Sequence, residues 1–220
     1  MTQPIIPQFL RLTNRPCLLI GENTEAIAKG RALLEAEADL YVVTDRPENW
    51  PSDLQDQITW LSPPFQPHHL DGVWLVVCAL DNRPLNIELF AACQTRRIFL
   101  NVVDQTEFCS FIWPAVVKKP PFTLAITTGG RGPALAGWLR RKLETELPDN
   151  MEALADWYSD WRKKSRPFLP SFDERSRFWR AMIQKKVVET YLSGNINEAD
   201  SLIKKALLEK KMLDGRKNVQ

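Results

Sequence analysis

Apolar residues in this chain come first in short continuous runs and later only at helical spacing. Pro16–Ile20 (PCLLI), Asp39–Thr44 (DLYVVT), Thr59–Leu61, Val73–Ala79 (VWLVVCA) and Ile98–Val103 (IFLNVV) have strand character. Between them, Thr24–Ala36 and Pro84–Thr95 space their apolar residues as helices do, with Pro84 in a first turn where its missing N–H does no harm. Continuous rather than alternating apolar strands, separated by helices, predict a parallel sheet covered on both faces. The pattern changes after Asp104. Ser110–Val117 and Phe122–Thr127 flank Lys118-Lys119-Pro120-Pro121 and predict an antiparallel pair. A glycine-rich turn then leads into a helix from Ala134 to Leu147. Helices follow over Met151–Lys164, Phe172–Leu192 and Ile196–Lys211, and the last eight, polar residues are expected to fray. The predicted fold class is α/β. A Rossmann-like domain (1–112) precedes an antiparallel-strand dimerisation region (113–147) and a helical C-terminal domain (148–220).

Composition narrows the classes. With 220 residues, 44% hydrophobic and 25% charged, the chain is neither disordered nor a rod. Its longest apolar runs fall well short of the roughly 20 residues a membrane helix needs. The N-terminus lacks a basic start followed by an apolar stretch, so the expected compartment is the cytoplasm, with no membrane partner. Residues 1–150 carry 14 Lys and Arg against 17 Asp and Glu, and residues 151–220 carry 15 against 10. No basic stripe interleaves with aromatics, so nucleic acid is not an expected partner. Cys17, Cys78, Cys93 and Cys109 contain no Cys-x-x-Cys spacing and read as buried free thiols. His68-His69 lacks companions at metal-ligand spacing. Trp157 and Trp161 read as a packing stripe, and the lysine pairs 163–164, 185–186 and 204–205 as solvated faces.

Three segments can carry chemistry. Gly21-Glu22-Asn23-Thr24-Glu25-Ala26 follows a strand and opens a helix, the setting in which a glycine-rich turn cradles a pyrophosphate. Asn23 replaces the second glycine: it tolerates positive φ, but its side chain stands to obstruct a phosphate, and Glu22 and Glu25 add negative charge there. Asp45, after the second strand, can hydrogen-bond a ribose 2′-hydroxyl, which favours NAD, while Arg46 beside it can instead take the 2′-phosphate of NADP. Asp104 ends a buried parallel strand, where partial burial would make it a better proton acceptor; the bland alternative is a turn cap. Thr127-Thr128-Gly129-Gly130-Arg131 offers hydroxyls, backbone N–H groups and a guanidinium to an anion, or is simply a connector.

In their order, CLLIG, RALLEA, RRIFLNVVD, SFIWPAVV, TLAITTGGRGPALAGWLRRKLE and ERSRFW resemble the precorrin-2 dehydrogenase/sirohydrochlorin ferrochelatase family of siroheme biosynthesis over about residues 7–180. That family includes the N-terminal half of the bacterial siroheme synthase and a stand-alone fungal enzyme. The resemblance implies a homodimer that oxidises precorrin-2 to sirohydrochlorin with NAD, and in bifunctional members inserts Fe²⁺ to give siroheme. It implies that Asp104 is the shared base, and that Gly21, Asn23, Thr24, Glu25, Asp45 and Arg46 face the cofactor. It also implies that Thr128, Gly129, Gly130 and Arg131 face the substrate. Thr128 matches a serine that is phosphorylated in some bacterial members, and its hydroxyl would bind a substrate carboxylate. Family members carry three glycines where this chain has Gly21-Glu22-Asn23. A chelatase-only protein, or a tetrapyrrole- or metal-binding protein with impaired NAD binding, therefore stands as the alternative. No second glycine-rich domain follows, so methylation of uroporphyrinogen is expected of another protein.

Overall fold

Five strands pair in parallel in the order β3-β2-β1-β4-β5: β1 Pro16–Ile20, β2 Asp39–Val43, β3 Ile58–Leu61, β4 Leu75–Cys78 and β5 Phe99–Val102. Helix α1 (Thr24–Glu35), the short turn α2 (Ser52–Gln55) and α3 (Arg83–Arg96) lie between them. The computed structural model describes residues 4–217, and of 213–217 only the backbone. Successive residues of β1 alternate between two hydrophobic clusters. Cys17 and Leu19 pack with Val42, Val77 and Trp50, while Leu18 and Ile20 pack with Val76, Cys78 and Leu89. Both faces are covered, which is why the strands read as continuous apolar runs. Strand order reverses between β1 and β4, the place where open α/β sheets leave a crevice at the carboxyl ends.

Gly30 in α1 is a packing requirement: a β-carbon there would lie 2.6 Å from the Trp50 ring, which is 1% exposed. Fully buried Asn86 is satisfied by the Leu80 carbonyl at 3.4 Å and the Cys78 thiol at 3.3 Å. Cys17, Cys78 and Cys93 are buried free thiols as expected, and Cys109 is half-buried.

The chain divides into two units. One runs to Pro114 and includes Thr127–Pro133; the other comprises Ala115–Ile126 and everything from Ala134 onward. The second unit holds the antiparallel pair β6 (Ala115–Lys119) and β7 (Phe122–Ile126), followed by α4 (Pro133–Glu146) and α5 (Met151–Ser165). Helices α6 (Phe172–Gln184), α7 (Val187–Leu192) and α8 (Ile196–Lys217) complete it. Three sequence expectations need correction. Strand β6 begins at Ala115 and not at Ser110, because residues 109–111 are already bound to β5. The Ser110 N–H donates to the Leu100 carbonyl at 2.8 Å, the Leu100 N–H to the Ser110 hydroxyl at 2.8 Å, and Asn101 to the Phe111 carbonyl at 3.1 Å. The helix expected over Phe172–Leu192 is broken at Lys186, whose φ of 59° is left-handed. The tail expected to fray continues as helical backbone to Lys217, and residues 218–220 lie outside the described residues.

Around Trp161, Trp179 and Met182 the helices close a separate core. Trp157 and Trp161 are packed there, and both indole N–H groups donate to Asp200 Oδ1, at 2.8 and 2.7 Å.

Candidate functional site

The carboxyl edge of the sheet collects the sequence candidates. Gly21 follows β1 at φ 131°, and a β-carbon on it would meet the Ala79 backbone at 3.4 Å. Only glycine allows both that dihedral and that approach. Asn23 does not use a left-handed backbone: its φ is −77°. Its Oδ1 accepts from the Ala26 N–H at 2.9 Å, capping α1, and its Nδ2 donates to the Ala79 carbonyl at 2.7 Å. The side chain thus ties the end of β1 to the end of β4 across the crevice. This corrects the expected obstruction of a phosphate, because the amide is folded back onto protein. The N–H groups of Thr24 and Glu25 stay at the helix start, where such groups have no intrahelical acceptor.

The two acids in this turn are also engaged. Glu25 pairs with Lys29 at 3.5 Å. Glu22 reaches across to the end of β2, where its Oε2 accepts from the Thr44 hydroxyl at 2.6 Å and its Oε1 lies 3.7 Å from Arg46 Nη1. Asp45 and Arg46 are exposed at the same corner. Sequence reasoning offered Arg46 as a free phosphate partner and missed its tie to Glu22. An acid and a base 24 residues apart gave no signal without the strand register.

Asp104 follows β5 at φ 60°, left-handed for a residue with a side chain. It is exposed, so the partial burial expected of it is not found. Aspartate is among the residues that accept this conformation most readily. The turn is held by the Gln105 N–H on the Val102 carbonyl at 3.3 Å, and by Gln105 Nε2 on Asp81 at 3.3 Å. The Thr127–Gly132 loop belongs to this same unit, and Gly130 faces Thr106, two residues beyond Asp104: a β-carbon there would lie 3.8 Å from Thr106 Cγ2. Gly129 and Gly130 take φ of 62° and 81°. The Thr127 hydroxyl accepts from the Gly129 N–H at 3.1 Å, and the Thr128 hydroxyl from the Gly132 N–H at 3.0 Å. As acceptors, both hydroxyls keep their own proton to donate to an anion. Arg131 is exposed. The loop therefore approaches Thr106, two residues beyond Asp104, at the carboxyl edge that also carries the Gly21 turn.

His68 and His69 sit in a 3-10 turn away from that edge, with rings 4.5 Å apart, and burial followed by the His68 charge lowers the His69 pKa. Among the described residues, no group of three or more His, Cys, Asp or Glu is placed to hold a metal ion. Within the helical unit, a cleft of about 810 Å³ escaped sequence reasoning because its walls come from separate helices. Its lining includes apolar Leu154, Ala155 and Val188 and basic Arg162, Lys163 and Arg166. Such a lining suits an amphipathic anion. Burial pushes the Tyr158 phenol in this wall up, with Arg162 opposing the shift.

Residues 8–115 match the family described as "Putative NAD(P)-binding", and residues 150–207 match the "Sirohaem synthase dimerisation region". The chain is 39% identical to siroheme synthase 3 of Aeromonas hydrophila subsp. hydrophila over 180 residues, which cover 81% of this chain and 38% of that protein. It is 35% identical to the siroheme synthase of Photorhabdus laumondii over 207 residues, 92% of this chain and 43% of that one. It thus spans about two-fifths of the length of these relatives. Among solved structures, SirC, a precorrin-2 dehydrogenase, shares the fold with a TM-score of 0.63 at 17% identity, covering 91% of this chain and 100% of that one.

Proposed function

Because the chain belongs to the precorrin-2 dehydrogenase/sirohydrochlorin ferrochelatase family, we propose that it oxidises precorrin-2 to sirohydrochlorin with NAD, and that it then inserts Fe²⁺ to give siroheme. The observation that carries this reading is the Asn23 side chain turned back onto Ala79 and Ala26, which leaves the glycine turn and helix start open although two of three family glycines are replaced. Those residues fit the cofactor: Gly21 would permit its close approach, the Thr24 and Glu25 N–H groups would hold its phosphates, and Glu22, Thr44 and Asp45 would hold its ribose. When bound, NAD⁺ supplies a hydride acceptor.

Oxidation removes one hydride and one proton from the macrocycle. Asp104 takes the proton and, being exposed, returns it to water. Metal insertion displaces two pyrrole N–H protons, and the same carboxylate accepts them in turn. Thr128 and Arg131 bind the carboxylates of the substrate, the guanidinium through paired N–H donors. Iron enters here as a substrate.

We further assign residues 113–147, together with the matched dimerisation region at 150–207, to contact with a second copy, giving a homodimer. Leu135 (59% exposed) and Trp138 (51%) on α4 support this assignment. Four unpaired thiols suit the reducing cytoplasm, and no helix among the described residues is long and apolar enough to cross a membrane.

The test is an anaerobic absorbance assay with enzymatically generated precorrin-2, with and without NAD⁺, followed by Fe²⁺. NAD⁺-dependent appearance of sirohydrochlorin, then an Fe²⁺-dependent spectral shift, is expected. A metal-dependent shift without any NAD⁺-dependent step would leave the chelatase-only alternative.

A further inference from the structure

We infer that Glu22, held by Thr44 and Arg46, sets the dinucleotide preference of this chain, accepting from the 2′-hydroxyl of NAD and excluding the 2′-phosphate of NADP. The inference rests on the cofactor reading above and names the residue behind its choice of NAD. In doubly wound folds the ribose is read at the end of β2 by an acid, or a 2′-phosphate is taken there by an arginine. Here both residue types are present, and the geometry decides between them.

Glu22 comes from the glycine turn, yet its carboxylate lies at the β2 corner. Thr44 fixes it there. This residue is 8% exposed, its hydroxyl donates to Glu22 Oε2 at 2.6 Å, and its oxygen accepts from the Arg46 N–H at 3.1 Å. The hydroxyl proton is therefore committed to Glu22, and the carboxylate is oriented before any ligand arrives. A carboxylate has about four lone-pair sites, so after Thr44 and Arg46 are served it can still accept from a ribose hydroxyl. A 2′-phosphate offers no donor when fully ionised and brings about two negative charges to this corner. It would meet Glu22 and the exposed Asp45, with one guanidinium already 3.7 Å from Glu22 Oε1. Like charges facing each other at a binding contact select against the more highly charged ligand.

The test is equilibrium titration of the purified full chain with NADH and, separately, NADPH, followed by quenching of tryptophan emission with no tetrapyrrole present. Wild type is expected to bind NADH at least about tenfold more tightly. Glu22→Gln keeps the shape and can still accept from Thr44, but removes the charge. It should narrow the NADH/NADPH ratio at least about fivefold through tighter NADPH binding. Adding Arg46→Ala to that variant should reverse the NADPH gain. Equal affinities in wild type overturn the inference and leave the dehydrogenase reading standing. So does an unchanged ratio in Glu22→Gln, since a purely structural role would move both affinities together. Failure of a folded chain, checked by far-UV circular dichroism, to bind either dinucleotide overturns the cofactor reading and this inference with it.

Discussion

Asp104 is the residue on which both proposed reactions converge. It projects from the carboxyl edge at φ 60°, beside the glycine loop that faces Thr106. Asp104→Ala should slow dehydrogenation and iron insertion alike, by about 10²–10⁴-fold, the usual range for a lost general base. Wild-type rates for either reaction in a folded variant would remove the shared-base assignment. The cysteines predict a different behaviour. Burial, then the charge of Asp39, pushes the Cys17 thiol up to about 12; burial pushes Cys93 up to about 11 and raises Cys78 and Cys109 as well. Because the thiolate is the reactive species, native protein at pH 7–8 should resist a disulfide reagent, and all four thiols should titrate after unfolding. Rapid native labelling would contradict this burial. The positions of Gly21, Asp45 and Asp104 were legible because each follows an apolar strand. The direction of Glu22 was not, since it depends on Thr44, 22 residues away and brought close only by the register of β1 with β2.

At the level of elements, the five parallel strands were readable because burial on both faces leaves an unbroken apolar run. The break between α6 and α7 was not. Ile183–Tyr191 keeps helical apolar spacing, and only the left-handed backbone at Lys186 separates the two helices. An ordinary side chain pays about 1–2 kcal/mol in that conformation, and glycine's extra unfolded-chain entropy offsets about 0.5–1. Lys186→Gly should therefore stabilise the chain by about 0.5–1 kcal/mol in urea unfolding; destabilisation would mean that the lysine itself matters. Another contact links the start of α6 to α8. Glu174 accepts from Lys210 Nζ at 2.8 Å and from Ser171, whose hydroxyl caps the helix in return. The Lys210 bond first, then those from Ser171, lower its pKa from 4.5 to about 2. A depressed carboxylate pKa means the folded state favours the charged form, so this contribution is fully present above pH 4.5 and fades as pH falls towards 2. Thermal melts of wild type and Glu174→Gln should differ at pH 6 and converge near pH 2. A gap that persists unchanged at pH 2 would point away from this ion pair.

For the molecule as a whole, the two units serve different needs, and both surfaces follow from their lining. The carboxyl edge of the first unit carries the polar and glycine residues of the proposed chemistry. The second presents Leu135 and Trp138 on α4 to its surroundings. Trp138→Glu should shift the sedimentation of the chain from the proposed dimer towards a 25.3 kDa monomer, and an unchanged dimer would place the contact elsewhere. The overall architecture was legible from the change of pattern after Asp104. The membership of the Thr127–Gly132 loop was not, because these residues follow β7 in sequence yet pack with the sheet unit. One contact in that unit also bears on how such a chain can diverge. Gly30 and Trp50 occupy a single volume between them. Among descendants, residue 30 can grow only after residue 50 has shrunk, so mutational paths here run in one order and the two positions should co-vary.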